Sequence, residues 1–289
     1  MRAKKVLQLL LKRENLSGQN NIMLTQAIDF KNESDALFEI IKTLSDDELK
    51  QKTGFKEWSI NSIIGHLHTW NIAANRSLTS DEEFAKYVSL FGTEYSKRQK
   101  MSDFETVFLE GREGQDLVQL WYDFYPKMTE TFKDADPKKR VKWMGPDMSV
   151  KSSITARLME TWAHGQAVYD VLGLVRNNLD HIKNITVLGN NTFKWCYTVH
   201  GKQIPDIAPY LRLKAPSGEI WTFNNVSEDN LIEGNAEDFC QVVTQVRNIA
   251  DVNLKLTGKI ANEWMSIAQC FAGPPEQPPK PGLRFTASK

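Results

Sequence analysis

From residue 24 to about 180 the apolar residues return every three or four positions, and beyond 183 that rhythm gives way to short alternating runs. A 3.6-residue rhythm buries one face of a helix, and a two-residue rhythm buries one face of a sheet. The chain therefore reads as a helical part followed by a smaller mixed part. Leu24, Ile28, Phe30, Ala36, Leu37, Ile40, Ile41 and Leu44 make the first apolar helix face. Asn61-Ser62 reads as the cap of a second helix, Ile63 to Leu78. Phe104 to Phe132 is a third helical region, with break points at Gly111 and Gly114. A loop through Asp134-Ala135-Asp136-Pro137 and Trp143-Met-Gly-Pro146 follows. Ser152 or Ser153 then caps a fourth helix, Ile154 to Leu172, which Gly173 ends. Four amphipathic helices with medium connections predict a bundle.

In the mixed part, Thr192 to His200, Tyr210 to Leu213 and Glu219 to Phe223 read as strands, the last after a Pro216-Ser-Gly218 turn. Gly234 to Val246 and Lys259 to Ala272 read as helices, and Leu254 to Leu256 as a short strand. The expected class is α+β: a four-helix bundle over 23–182 and a smaller α+β domain over 183–285. Pro274, Pro275, Pro278, Pro279 and Pro281 predict an extended tail. Residues 1–22 begin basic and end polar. They read equally as a peripheral helix or as an extension upstream of a domain that starts at Met23.

Lys plus Arg and Asp plus Glu each number 36, so there is no basic excess for a nucleic-acid partner. The apolar run Val6 to Leu11, interrupted by Gln8, is too short for a bilayer and lacks a cleavage site. No membrane partner and no signal peptide are expected. Cys196, Cys240 and Cys270 are odd in number, far apart and form no C-x-x-C pair. They read as buried thiols in a reducing, cytoplasmic setting. The chain has no Gly-x-Gly-x-x-Gly run, no P-loop and no Gly-x-Ser-x-Gly elbow. A small-molecule substrate is the expected partner, and nothing in the pattern specifies an oligomer.

The sharpest chemical signal is Glu160-Thr-Trp-Ala-His164. Side chains four apart share one helix face, so a carboxylate and an imidazole can reach one ion. Taken alone, such a pair is more often an ordinary ion pair on a solvated face. Leu158, Val168 and Leu172 indicate that parts of this helix are buried, where a charged pair needs compensation. The second signal is Gly65-His66-Leu67-His68. The two histidines lie about 200° apart on the helical wheel. Ile63, Trp70, Ala73 and Ala74 mark the inner face, so His66 points inward and His68 outward or sideways.

His66, Glu160 and His164 together make a three-donor N/O set that leaves positions open on a divalent metal. Zinc is the default, and nickel or iron would accept the same donors. Arg157, seven residues before His164 and about 20° from it on the wheel, is the candidate for binding a substrate carboxylate. An inter-helix salt bridge is the competing reading. Trp143 and Trp162 read as core, Arg98 and Arg112 as solvated surface, and His181 and His200 lack ligand spacing.

The Gly65-His66-Leu67 helix followed by Glu160-x-x-x-His164 resembles the metal-binding domain of the DinB-like and mycothiol-dependent maleylpyruvate isomerase superfamily. Trp143-x-Gly-Pro-x-Met148, Ala156-Arg-Leu-Met-Glu-Thr-Trp-Ala-His-Gly165 and Ala268-Gln-x-Phe-Ala-Gly-Pro-Pro275 resemble an uncharacterised metal-binding subfamily within it. The resemblance runs from about Met23 to Arg284. It implies an up-down-up-down-like bundle with a divalent metal, usually zinc, held by His66, Glu160 and His164. It also implies a C-terminal domain related to sterol-carrier folds and chemistry with a low-molecular-weight thiol. Many relatives carry an acid where this chain has Ala167, and Asp170 lies one turn further on.

Three functions compete at this level. One is a thiol-dependent transferase or isomerase, and the second is a metal-water hydrolase. The third is a non-catalytic ligand-binding protein whose structural metal takes a fourth donor, such as His68 or Asp170.

Overall fold

The computed structural model describes residues 23–98 and 100–287, so the leader 1–22 and the side chain of Arg98 lie outside the described residues. The helical part contains α1 (Thr25–Ile41), α2 (Asp46–Leu49), α3 (Ile60–Thr79), α4 (Asp81–Arg98), α5 (Met101–Phe108) and α6 (Gly114–Lys133). A small hairpin, β1 (Arg140–Val141) and β2 (Met148–Ser149), leads into α7 (Val150–Val171). The long helices α1, α3, α6 and α7 form the bundle around Phe30, Leu37, Ile63, Ile64, Trp121 and Leu158.

Both helices that carry the candidate donors start earlier than expected. Ser59 Oγ accepts from the Ser62 backbone N–H at 3.0 Å, and Ser149 Oγ accepts from Ser152 N–H at 3.1 Å. In each Ser-x-x-Ser the first hydroxyl caps and the second sits in the first turn. Gly173, with φ 66°, ends α7 as anticipated.

α1 packs against α6 and α7, and α3 packs against the same pair. The first and second long helices, and the third and fourth, therefore lie across the diagonal, whereas a simple up-down-up-down bundle sets them side by side. The connections 42–59 and 134–149, which join those diagonal pairs, are long enough to cross the bundle end. The connection 80–113, between the adjacent α3 and α6, holds α4, a helix hidden in the sequence by its charges. Its stripe of Phe84, Tyr87, Val88 and Phe91 packs with Trp70, Phe104 and Trp143 as a second layer over α3. This layer sets α5 against α3 beside His66.

The remaining chain forms a 3-10 turn (Asp180–Ile182), α8 (Lys183–Asn191), α9 (Phe193–Val199), β3 (Tyr210–Lys214), β4 (Ile220–Phe223) and β5 (Leu231–Asn235). α10 (Ala236–Val243), β6 (Lys255–Thr257) and α11 (Lys259–Ile267) complete it. The strands lie in the order β4-β3-β5-β6, with β3 and β5 parallel and the outer pairings antiparallel. The architecture is α+β. The strand expected at 192–200 is instead the helix α9. Its aromatic and β-branched residues favour extended chain, yet Phe193, Cys196 and Tyr197 are buried while Lys194, Trp195 and Thr198 are exposed. That is helical spacing, and Phe193 docks edge-on against Trp264 at 5.0 Å.

Met159 and Trp162 of α7 pack into the second core with Leu211, Leu213, Phe239 and Trp264. α7 thus serves both cores, and we propose the domain boundary near residue 182, where the core changes. A buried polar group ties the parts together. The Glu33 carboxylate of α1 accepts from the Arg176 guanidinium and from His181 Nε2, the latter at 2.8 Å. Arg176 also donates to the Trp162 carbonyl at 2.7 Å and lies over the Trp162 ring. Burial alone would raise the Glu33 pKa, but Arg176 and His181 hold it below the usual carboxylate value. No described helix is long and apolar enough to cross a membrane.

Candidate metal centre

α3 supplies His66 and α7 supplies Glu160 and His164. Glu160 Oε2 lies 3.0 Å from His164 Nε2 and 3.5 Å from His66 Nε2. One donor atom from each of the three residues falls within 4.8 Å of the others. Donors about 2.0 Å from a tetrahedral zinc stand roughly 3.3 Å apart. The residues present therefore fit a divalent ion. The helical phase of α3 correctly turned His66 toward this point.

His68 is also buried, which differs from the outward or sideways position expected. Its ring meets Phe124 of α6 edge-on at 5.4 Å. α3 is enclosed by α6 as well as α7, so the face opposite His66 is internal too. Burial, with Arg112 adding to it, pulls the His68 pKa down to about 4.

Glu105 was not visible as a site residue in the sequence. Its Oε1 lies 2.7 Å from His66 Nδ1 and accepts from Trp70 Nε1 at 3.0 Å. Its one trace is an acid set among Met101, Phe104 and Phe108 on the apolar face of a short helix. Phe55 and Trp58 complete the wall. The Phe55 ring is edge-on to His164 at 4.8 Å, and the Trp58 ring stacks on it at 5.7 Å. Lys56 and Glu57, at φ 49° and 60°, make the left-handed turn between these two aromatics.

The three donors do not titrate alike. Burial would lower the His66 pKa, but the Glu105 and Glu160 carboxylates on its two nitrogens outweigh burial and raise it to about 9. Burial would raise Glu160, yet His164, His66 and Arg157 hold it well below the carboxylate range. Burial keeps His164 below the ordinary histidine value. The centre is thus an ionised carboxylate between one protonated and one neutral imidazole.

The donors open onto a cavity of about 460 Å³ that passes Phe55, Trp58, Met101 and Met159. Arg247, Arg284 and Phe285 also line it. Arg247 makes two 2.7 Å bonds to the Asp170 carboxylate. Arg284 lies over the Phe55 ring at 5.0 Å and donates to the Gln245 carbonyl at 2.7 Å. Its Nε is buried and has no partner among the described residues. The proline-rich segment forms no helix and carries bends and a turn where extended chain was expected, and beyond it Ala287 N–H bonds the Asp170 carbonyl of α7 at 2.9 Å.

Arg157 is not brought to this cavity. It is 4% exposed, and its Nε donates to Asn71 Oδ1 at 3.2 Å. Seven residues are about 10 Å of helical rise, so sharing a face with His164 does not mean sharing its depth. Trp162 is core, with Nε1 on Asn178 Oδ1, and Trp143 packs on Trp70 and Phe84. His200 bonds the Cys196 carbonyl, and Arg112 is half exposed beside Glu110. Cys196, Cys240 and Cys270 are buried free thiols whose pKa values burial raises.

The family model described as the mycothiol maleylpyruvate isomerase N-terminal domain matches residues 30–169. An uncharacterized protein of Mycobacterium tuberculosis, from strain CDC 1551 / Oshkosh, is 32% identical over 248 residues, which are 86% of this chain and 95% of the relative. Its counterpart from strain ATCC 25618 / H37Rv matches to the same extent. The chain belongs to the mycothiol-dependent maleylpyruvate isomerase superfamily. All three candidate donors fall inside the stretch that matches the superfamily's N-terminal domain. Among solved structures, the crystal structure of the mycothiol-dependent maleylpyruvate isomerase is 12% identical with a TM-score of 0.49, over 75% of this chain and 87% of that one. A point mutant of that enzyme gives 0.48.

Proposed function

We propose that the chain binds one divalent metal, zinc first, through His66, Glu160 and His164, and is a thiol-dependent transferase or isomerase for a small anionic substrate. The observation that carries this reading is the cluster of three possible donors on the wall of a cavity that Arg284 also lines. A divalent ion held there supplies a Lewis acid that lowers the pKa of a thiol sulfur. The chain's own residues supply the rest. Phe55 and Trp58 keep water from the donors, and Arg284 presents N–H groups to an acid group on the substrate.

Two features favour thiol chemistry over the alternatives. Each carboxylate of the described cavity lining is already engaged. Glu160 is a donor, Asp170 is paired with Arg247, and Glu276 is paired with Lys56 at 2.7 Å. A metal-water hydrolase would need one of them free as a base. Neither His68, against Phe124, nor Asp170, on Arg247, joins the donor cluster, so no fourth protein donor for a structural metal is found among the described residues.

Metal analysis of purified protein, with a screen of small thiols beginning with mycothiol, tests the reading. Conjugation or isomerisation that needs both metal and thiol is expected, and turnover without any thiol sinks it. Replacing Arg284 with methionine is expected to lower kcat/KM for an acidic substrate about 10–100-fold, the loss of one charge-assisted hydrogen bond, with metal content unchanged. Equal kcat/KM in the variant would remove Arg284 from the mechanism.

Metal binding should also depend on pH in a defined direction. An ion can take His66 Nε2 only after its proton leaves, and that proton is held up to about pH 9. The apparent zinc affinity is therefore expected to rise by about tenfold per pH unit from weakly acidic conditions toward that value, with one proton released per ion. Competition titrations at several pH values measure this, and a flat profile would show that His66 is not a donor.

A further inference from the structure

Glu105 stands behind His66 and is not itself among the residues that line the cavity. We infer that Glu105 is a positioning residue that fixes the His66 ring so that Nε2, and not Nδ1, is the metal donor; the inference rests on the metal reading above. An imidazole can turn over and offer either nitrogen, and the hydrogen bond at one nitrogen decides which is left for the metal. Here the contact of Nδ1 with Glu105 Oε1 at 2.7 Å leaves Nε2 facing Glu160. The same oxygen accepts from Trp70 Nε1 at 3.0 Å, so Glu105 grips α3 at two positions one turn apart.

The packing of α5 does not call for a charge at this position. Glu105 is 5% exposed, and its helix neighbours Phe104 and Phe108 belong to an aromatic cluster with Tyr87 and Phe91. An apolar side chain would suit that cluster, and a buried carboxylate is costly without compensation. The compensation it finds is the imidazole of His66 and the indole N–H of Trp70. The carboxylate also makes the imidazole a better donor by drawing on its N–H.

Zinc affinity, measured by chelator competition on the full chain, tests this together with the visible spectrum of the cobalt-substituted protein. Glu105→Ala is expected to weaken zinc binding about 10–100-fold and to change the cobalt spectrum, the usual effect of removing an outer partner of a ligand histidine. Glu105→Gln keeps an acceptor oxygen without the charge and should recover part of the loss. Trp70→Phe leaves the contact with His66 intact and should hold affinity within about threefold, since it removes no partner of a donor. If Glu105→Ala does not fold, Glu105→Met, of similar length, carries the same expectation. Wild-type affinity in the folded alanine or methionine variant overturns the role of Glu105, as does an equal loss in Trp70→Phe. A wild-type protein that binds no zinc overturns the metal reading itself, so the two failures are distinct.

Discussion

Replacing His164 with alanine is expected to abolish stoichiometric zinc binding, with a loss of affinity greater than the roughly 100-fold upper range for removing an outer partner. Three donors are the minimum of a catalytic zinc site, and no spare donor joins the cluster among the described residues. His164 is the cleanest of the three to remove. Deleting His66 would take the imidazole from the buried Glu105, and deleting Glu160 would take one carboxylate partner from His66. Deleting His164 leaves Glu160 with His66 and Arg157, so the fold should survive. Elemental analysis after dialysis, with far-UV circular dichroism as the folding control, measures the outcome. One equivalent of zinc held at unchanged affinity in His164→Ala would end the three-donor assignment.

Removing Arg176 should produce the largest stability loss. Glu33 is 3% exposed and Arg176 is 9% exposed, so neither charge is well solvated. Breaking a buried pair from one side costs about 3–5 kcal/mol because the remaining charge is stranded. Arg176→Met is expected to lower Tm on the order of 10 °C for a chain of this size. The sign with pH follows from Glu33. In the native protein its pKa is lowered from 4.5, so the pair contributes stability above that value and loses it as acid protonates the carboxylate. In the variant the stranded carboxylate would instead favour its protonated form. The gap between variant and wild type should thus be widest near neutral pH and close on acidification. Glu33→Met with Arg176→Met should recover much of the loss, though not the bond to the Trp162 carbonyl. A melting temperature within about 2 °C of wild type for Arg176→Met would show that the pair contributes little. The pair matters for the site because it ties α1 to α7, the helix that carries two of the three donors.

The cluster of His66, Glu160 and His164 was legible because each residue's facing needs only local information. Glu160 and His164 share a face through a spacing of four, and helical phase separates His66 from His68. The same reasoning failed where depth or enclosure mattered. It gave Arg157 the right angle but not the right height. It left His68 facing away from the donors, correctly, without showing that a further helix waits on that side. It read α9 as a strand because aromatic composition outweighed spacing in so short a run. It passed over α4, whose apolar stripe is thin among charges.

By itself, the sequence determined the class of fold, the change from helical to alternating pattern near residue 183, and the helix faces that carry His66, Glu160 and His164. Periodicity and side-chain chemistry are properties of neighbouring residues along the chain. Only the tertiary structure decided which helices are adjacent and that Glu105 reaches His66 across 39 positions. It also decided that Phe55, Trp58 and Arg284 close around the same cavity. Those contacts arise when long connections fold back to bury apolar surface, and no local pattern records where such a connection will land. The three-residue cluster could be read from the helices that carry it, whereas what surrounds and encloses it depended on the packing of distant segments.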